Sequence, residues 1–159
     1  MDLTIRKMRE SDLEPLFELL SNEQVMRYIE PPYTEEKTAS FLKTAGLSEP
    51  PLIYAVERGD RFIGYVIFHD YDENSMEIGW VLHPSHWGTG CASCLTEQLI
   101  DQCRVLGKQP VIECSPEQEI TKHIAQKYGF EYIGNEDGLN VFRRANSLPL
   151  EGKVARRQP

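Results

Sequence analysis

Apolar and polar residues alternate over residues 3–8, and a period of two predicts a strand. Ser11-Asp12-Leu13-Glu14 reads as a capping box, with Leu13, Leu16, Phe17 and Leu20 on one helical stripe behind it. Glu30-Pro31-Pro32-Tyr33 must be loop, because two prolines cannot continue a helix. Thr34 is a second N-cap, followed by Glu35 and Glu36 and then by Thr38, Phe41, Leu42 and Ala45 at helical spacing. Residues 52–57, 62–69 and 76–82 read as strands, with turns at 58–61 and 71–74. Ala92, Leu95, Leu99, Cys103 and Leu106 mark a long amphipathic helix that stops at Gly107. A short strand over 111–114 precedes a helix from about 118 to 128, ended by Gly129. Residues 131–134 and 139–144 are strands joined through Asp137-Gly138, a hairpin signal. The expected order is β-α-α-β-β-β-α-β-α-β-β. It fills a single domain over residues 1–145 and leaves a polar tail over 146–159.

A chain of 159 residues, 40% hydrophobic and 26% charged, suits one globular domain with a real core. No apolar run approaches the roughly 20 residues that span a bilayer. The N-terminus shows no signal-peptide pattern, so a cytoplasmic location without membrane association is expected. A net charge of −8 argues against nucleic-acid binding and weakly favours a cationic substrate. Cys91 and Cys94 have CxxC spacing, but Cys103 and Cys114 form no second pair and no His pair stands at ligand spacing. The expectation is therefore no metal, with the cysteines serving as small packing residues.

The chemistry concentrates in Ile78-Gly79-Trp80-Val81-Leu82-His83-Pro84-Ser85-His86-Trp87-Gly88-Thr89-Gly90-Cys91-Ala92. A strand reaches a proline, crosses a loop with two glycines and enters a helix. Such a loop lets backbone N–H groups converge on an anion, and the helix N-terminus adds partial positive charge. No Lys-Ser or Lys-Thr follows, so this is not the loop that grips nucleoside triphosphates with Mg²⁺. It also lacks the third glycine and early position of a dinucleotide fingerprint.

The loop resembles the pyrophosphate loop of the GNAT acetyltransferases, and its Trp-Gly-x-Gly-x-Ala spelling looks most like the RimJ/RimL-like subgroup. Lys127-Tyr128-Gly129-Phe130 is similar to that family's helix end, and the order of elements is the family's order. The resemblance implies an α/β (α+β) GNAT fold: a mixed, mostly antiparallel sheet of about seven strands with helices on both faces. It implies acetyl-CoA as cosubstrate. The strand backbone of Trp80, Val81 and Leu82 would pair with the pantetheine arm, as an added strand does. Gly88, Thr89, Gly90, Cys91, Ala92 and Ser93 would meet the pyrophosphate, and Gln118 and Thr121 the rest of the cofactor. Trp87 stands where the family usually has Gln or Arg, and a packing role is expected for it. Many members carry a Tyr near the leaving thiolate; the corresponding position here is Ala125, and Tyr128 lies three residues on.

Transfer to an amine needs a neutral nucleophile, a stabilised carbonyl oxygen and a departing thiolate. The family places the oxygen's donor at a backbone N–H near Val81. Glu77 is the first candidate base and Glu113 the second, with a water chain or no dedicated base as the alternative. Surface or structural roles are expected for His83 and His86. Tyr28, Tyr33 and Phe41 lie in the segment that walls the acceptor pocket in this family, with substrate contact and aromatic core packing as the two alternatives for them. The expected activity is direct acetyl transfer to a primary amine, either a protein N-terminus or a small molecule, by a monomer or homodimer. A catalytically idle CoA-binding regulatory module is the alternative.

Overall fold

The computed structural model describes residues 1–145; the tail expected over 146–159 lies outside the described residues. Seven strands form one mixed sheet in the order β1-β2-β3-β4-β5-β7-β6. They are β1 (Leu3–Arg6), β2 (Ile53–Arg58), β3 (Arg61–Asp72), β4 (Ser75–Leu82), β5 (Gln109–Cys114), β6 (Glu131–Glu136) and β7 (Leu139–Arg143). The helices among the described residues are α1 (Leu13–Leu20), α2 (Glu23–Met26), α3 (Glu35–Phe41), α4 (Cys91–Leu106) and α5 (Glu119–Lys127). The sheet, its mixed pairing and the element order are those expected; α2 was not foreseen.

The chain divides into two compact units. The first comprises residues Met1–His69 and Gly79–Leu95. Here β1 pairs antiparallel with β2, and β2 with β3. Leu16, Leu19 and Leu20 of α1 are at most 1% exposed and pack with Val25, Met26, Tyr65 and Val81. Each such leucine contributes about 1.5–3 kcal/mol by burial. The capping box expected on Ser11 does not form. Ser11 lies inside a short 3-10 turn, Glu10–Asp12, and the Asp12 carboxylate instead accepts the Arg9 N–H at 2.8 Å. Asp12 is held there by Arg6, whose guanidinium grips both carboxylate oxygens at 2.9 and 2.8 Å. Asn22 opens α2 by accepting the Gln24 and Val25 N–H groups. Thr34 caps α3 as expected, its hydroxyl oxygen accepting the Lys37 N–H at 3.1 Å. A π-helical turn, Leu42–Gly46, extends α3.

Gly64 marks the tightest approach in this unit. At φ +154°, a Cβ built on it would stand 2.1 Å from the Val81 carbonyl oxygen, a distance no side chain tolerates. Strands β3 and β4 lie this close because the position carries no side chain.

The second unit comprises, among the described residues, Asp70–Ile78 and residues 96–145. In it β4 pairs parallel with β5 over Ser75–Gln109, Met76–Pro110 and Glu77–Val111, while β4 itself continues to Leu82. Strand β7 inserts antiparallel between β5 and β6. The hairpin expected at Asp137-Gly138 forms, with φ of 52° and 87°. Val111, Ile112, Ala125 and Val141 are 1% exposed or less. Arg144 is also buried, and its Nε donates to the Tyr128 carbonyl at 2.7 Å, tying the end of α5 to the segment after β7.

Candidate active site

The loop that joins β4 to α4 combines local bonds with contacts to β2 and β3. His83 N–H donates to Ile63 at 2.8 Å, which fixes the end of β4 on β3. Pro84–His86 then form a 3-10 turn, and the His83 ring nitrogen accepts the Ser85 N–H at 3.2 Å. The Arg58 guanidinium lies 3.5 Å from the His86 ring; burial and that positive charge hold the imidazole below its usual range. Both histidines thus serve the loop, as expected. Gly88 and Gly90 adopt φ of +69° and +87°, and α4 opens at Cys91. The Thr89 hydroxyl turns back to the His86 carbonyl at 2.7 Å, and the Cys91 side chain is 1% exposed. What the loop presents is backbone, beside the positive end of a helix running to Leu106. That donor set fits a pyrophosphate.

Trp87 does more than pack. Its ring is 47% exposed, and its indole N–H donates to the Leu82 carbonyl at 2.9 Å. Trp80, Val81 and Leu82 are the last residues of β4; Val81 and Leu82 are buried and Trp80 half-buried. Tyr33 packs against the core cluster that contains Val81, whereas Tyr28 is 41% exposed under a stacked Arg27.

In the second unit, Glu77 is paired in register with Val111. Glu113, two residues further along β5, therefore shares a face of the sheet with Glu77. Glu113 accepts a hydrogen bond from the Tyr71 hydroxyl at 3.2 Å, and Glu136 lies 3.4 Å from the same hydroxyl. Burial and the Glu113 charge push the Tyr71 phenol up to about 12, so it keeps its proton at neutral pH. Tyr71 is the partner of the candidate base Glu113 that the sequence reading missed. The segment 71–74 reads as turn, but β3 runs to Asp72; the continuing alternation of His69 and Tyr71 was the available signal.

Gln118 stands at the N-cap of α5, and its side-chain oxygen accepts the Ser115 N–H at 2.8 Å. Thr121 is half-buried in the first turns of that helix. Ala125 is fully buried. Tyr128 is 4% exposed and its hydroxyl donates to Glu97 at 2.8 Å. Burial lifts the Cys103 thiol to about 12 and the Cys114 thiol to about 11, so neither is a ready acyl carrier. Among the described residues no group of three or more His, Cys, Asp or Glu could hold a metal ion, and no helix is long and apolar enough to cross a membrane.

The acetyltransferase (GNAT) domain family matches residues 2–131. The "Uncharacterized N-acetyltransferase YnaD" of Bacillus subtilis is 28% identical over 137 residues, covering 83% of this chain and 81% of that protein. An acetyltransferase (GNAT family) from Bacillus anthracis has a TM-score of 0.77 at 24% identity, with 92% of this chain and 96% of that one covered. RimL, a ribosomal L7/L12 alpha-N-protein acetyltransferase solved in complex with coenzyme A, has a TM-score of 0.77 at 19% identity, covering 89% and 93%. With 130 consecutive positions inside the family's boundaries and its fold in place, this chain belongs to the GNAT acetyltransferases.

Proposed function

We propose that the protein moves the acetyl group of acetyl-CoA directly to a primary amine. The observation that carries this reading is the loop of Gly88 and Gly90, both left-handed, opening onto the N-terminus of α4 in a chain of this family. Acetyl-CoA supplies an acetyl group activated as a thioester. Backbone N–H groups of residues 88–93 hold the pyrophosphate, the backbone of Trp80, Val81 and Leu82, beyond the Glu77–Val111 pair of β4 and β5, aligns the pantetheine arm, and Gln118 and Thr121 complete the cofactor contacts. The Val81 N–H is the donor to the acetyl oxygen. Glu77 takes the proton that the amine gives up as its nitrogen bonds to the acetyl carbon and the C–S bond breaks. Glu113, held by Tyr71, is the alternative base. A thiol of pKa about 8.5 leaves as thiolate with little help, so Ala125 is compatible with turnover. Tyr28 and Tyr33 wall the acceptor side.

Gly90→Glu tests the reading. The added Cβ meets only the Met1 methyl at 3.5 Å, so space is not the obstacle; the φ of +87° and the charge facing pyrophosphate are. Calorimetry should show CoA affinity falling at least about 100-fold, and an unchanged affinity sinks the proposed cradle. The buried Ala125 and the engaged Tyr128 favour a second reading, CoA binding without turnover. Thiol release with any amine in a broad acceptor panel excludes it.

A further inference from the structure

We propose that Glu30 and Tyr33 form a seat for an alkylammonium group, that Lys37 occupies it when no acceptor is bound, and that the acceptor is a linear aliphatic diamine or polyamine whose second, charged amine displaces Lys37. This rests on the reading of the protein as an N-acetyltransferase.

The seat is braced by backbone, ring and hydroxyl contacts, and its occupant is the exposed Lys37. Pro31 and Pro32 set the backbone between Glu30 and Tyr33. The Tyr33 N–H donates to Leu20 at 2.9 Å, and the Tyr33 ring meets Phe41 edge-on at 5.8 Å; Phe41 in turn rests on Tyr65 at 5.9 Å. The Tyr33 hydroxyl donates to Glu30 Oε2 at 2.6 Å, which aims the carboxylate's other oxygen. Into this corner comes Lys37 Nζ, 3.2 Å from Glu30 Oε1 and 4.5 Å from the Tyr33 ring centroid. A carboxylate and an aromatic face around one ammonium are the two elements by which proteins recognise such groups. The chain's own lysine shows that the corner accepts one.

Magnitudes make the exchange feasible. The Lys37 side chain is 53% exposed and that of Glu30 44%. An ion pair so exposed contributes about 0–1 kcal/mol, and an exposed cation–π contact about 0.5–1 kcal/mol. Another ammonium can take the place of Lys37 at little cost. The Tyr33 phenol, raised to about 12 by burial and by Glu30, remains a donor throughout the working pH range.

The seat stands on the same core as the proposed donor to the acetyl oxygen. Tyr33 and Phe41 pack against the cluster that includes Val81, the proposed donor to the acetyl oxygen. The amine that attacks must be neutral, whereas the amine held by Glu30 is charged. One acceptor molecule therefore carries both: a nucleophile at one end and an anchoring ammonium at the other.

The test uses CoA-loaded protein titrated with putrescine in a calorimeter, beside kinetics with putrescine and butylamine. Glu30→Gln should weaken putrescine binding about 10-fold. Lys37→Met, which removes the competitor, should tighten it about threefold. The putrescine-to-butylamine ratio of kcat/KM should fall about 10-fold in Glu30→Gln, with the change in KM and not in kcat. The seat is overturned if putrescine does not bind, if neither variant shifts its binding by more than about twofold, or if both variants weaken it alike. Acetylation of other amines alongside such a result would leave the acetyltransferase reading intact. Putrescine binding that responds to both variants without any thiol release would support the seat and overturn acetyl transfer instead.

Discussion

The indole N–H of Trp87 donates to the carbonyl of Leu82 at 2.9 Å and so ties the glycine loop to the last residue of β4. Two proposed cofactor contacts, strand backbone and loop backbone, are held at a fixed spacing by one side chain. Trp87→Phe keeps the ring and removes the donor. A neutral hydrogen bond contributes about 0.5–1.5 kcal/mol. The KM for acetyl-CoA should therefore rise about 3- to 10-fold while kcat and the melting temperature barely move. An unchanged KM would show that the loop holds its shape without this bond.

Glu77 and Glu113 share a face of the sheet, and Glu113 is bonded to Tyr71. With Glu77 as the proposed base, Glu77→Gln should lower kcat about 10²- to 10⁴-fold, with CoA binding preserved. Steady-state kinetics on Glu113→Gln and Tyr71→Phe should show the smaller effect, about 10-fold or less. If Glu113→Gln is the crippled enzyme, the base is Glu113 and Tyr71 is its positioning residue.

Tyr128 is held at both ends, its hydroxyl by Glu97 at 2.8 Å and its carbonyl by Arg144 at 2.7 Å. That arrangement is structural. Tyr128→Phe should keep kcat within about threefold. It should cost about 1.5–3 kcal/mol in urea unfolding, because a carboxylate loses its donor in a half-buried setting. A 100-fold loss of kcat at normal stability would instead make Tyr128 the acid for the leaving thiolate.

Asp12 sets a pH dependence. Burial opposes its ionisation, but the Arg6 guanidinium and the Arg9 N–H outweigh burial and hold its pKa below the usual 3.8. A folded-state value below the unfolded one stabilises at pH above the unfolded value, and that stability drains away as pH falls through the folded value. Asp12→Asn should cost about 2–4 kcal/mol at pH 7, since it breaks a largely buried pair. The variant should also lose less on going from pH 5 to pH 2.5. Parallel urea-midpoint curves for the two proteins over that interval would refute the linkage.

Local pattern made much of this molecule legible. The strand pattern of β2, the Asp137-Gly138 turn, the Thr34 cap and the glycine pair before α4 are each decided within a few residues, and each appears where the pattern puts it. The missed features depend on distance or brevity. Helix α2 has a single turn, too short to show a period, and rests on the Asn22 cap. The carboxylate at the start of α1 is positioned through Arg6, which also bonds Glu57 across 51 residues. Tyr71 finds Glu113 and Glu136 at separations of 42 and 65. No spacing rule along the chain reports such partners.

Enzymes are usually inventoried by their side chains, and Gly64 would enter no such inventory. Yet the Val81 peptide keeps its height above β3 only because nothing projects from residue 64: any other amino acid would set an atom 2.1 Å from its oxygen. The strand would have to yield, carrying the Val81 amide with it. The placing of the Val81 peptide is thus heritable through a position whose whole contribution is vacancy. Gly64→Ala should therefore shift β4 at Val81 and lower the melting temperature, which a thermal unfolding scan would read.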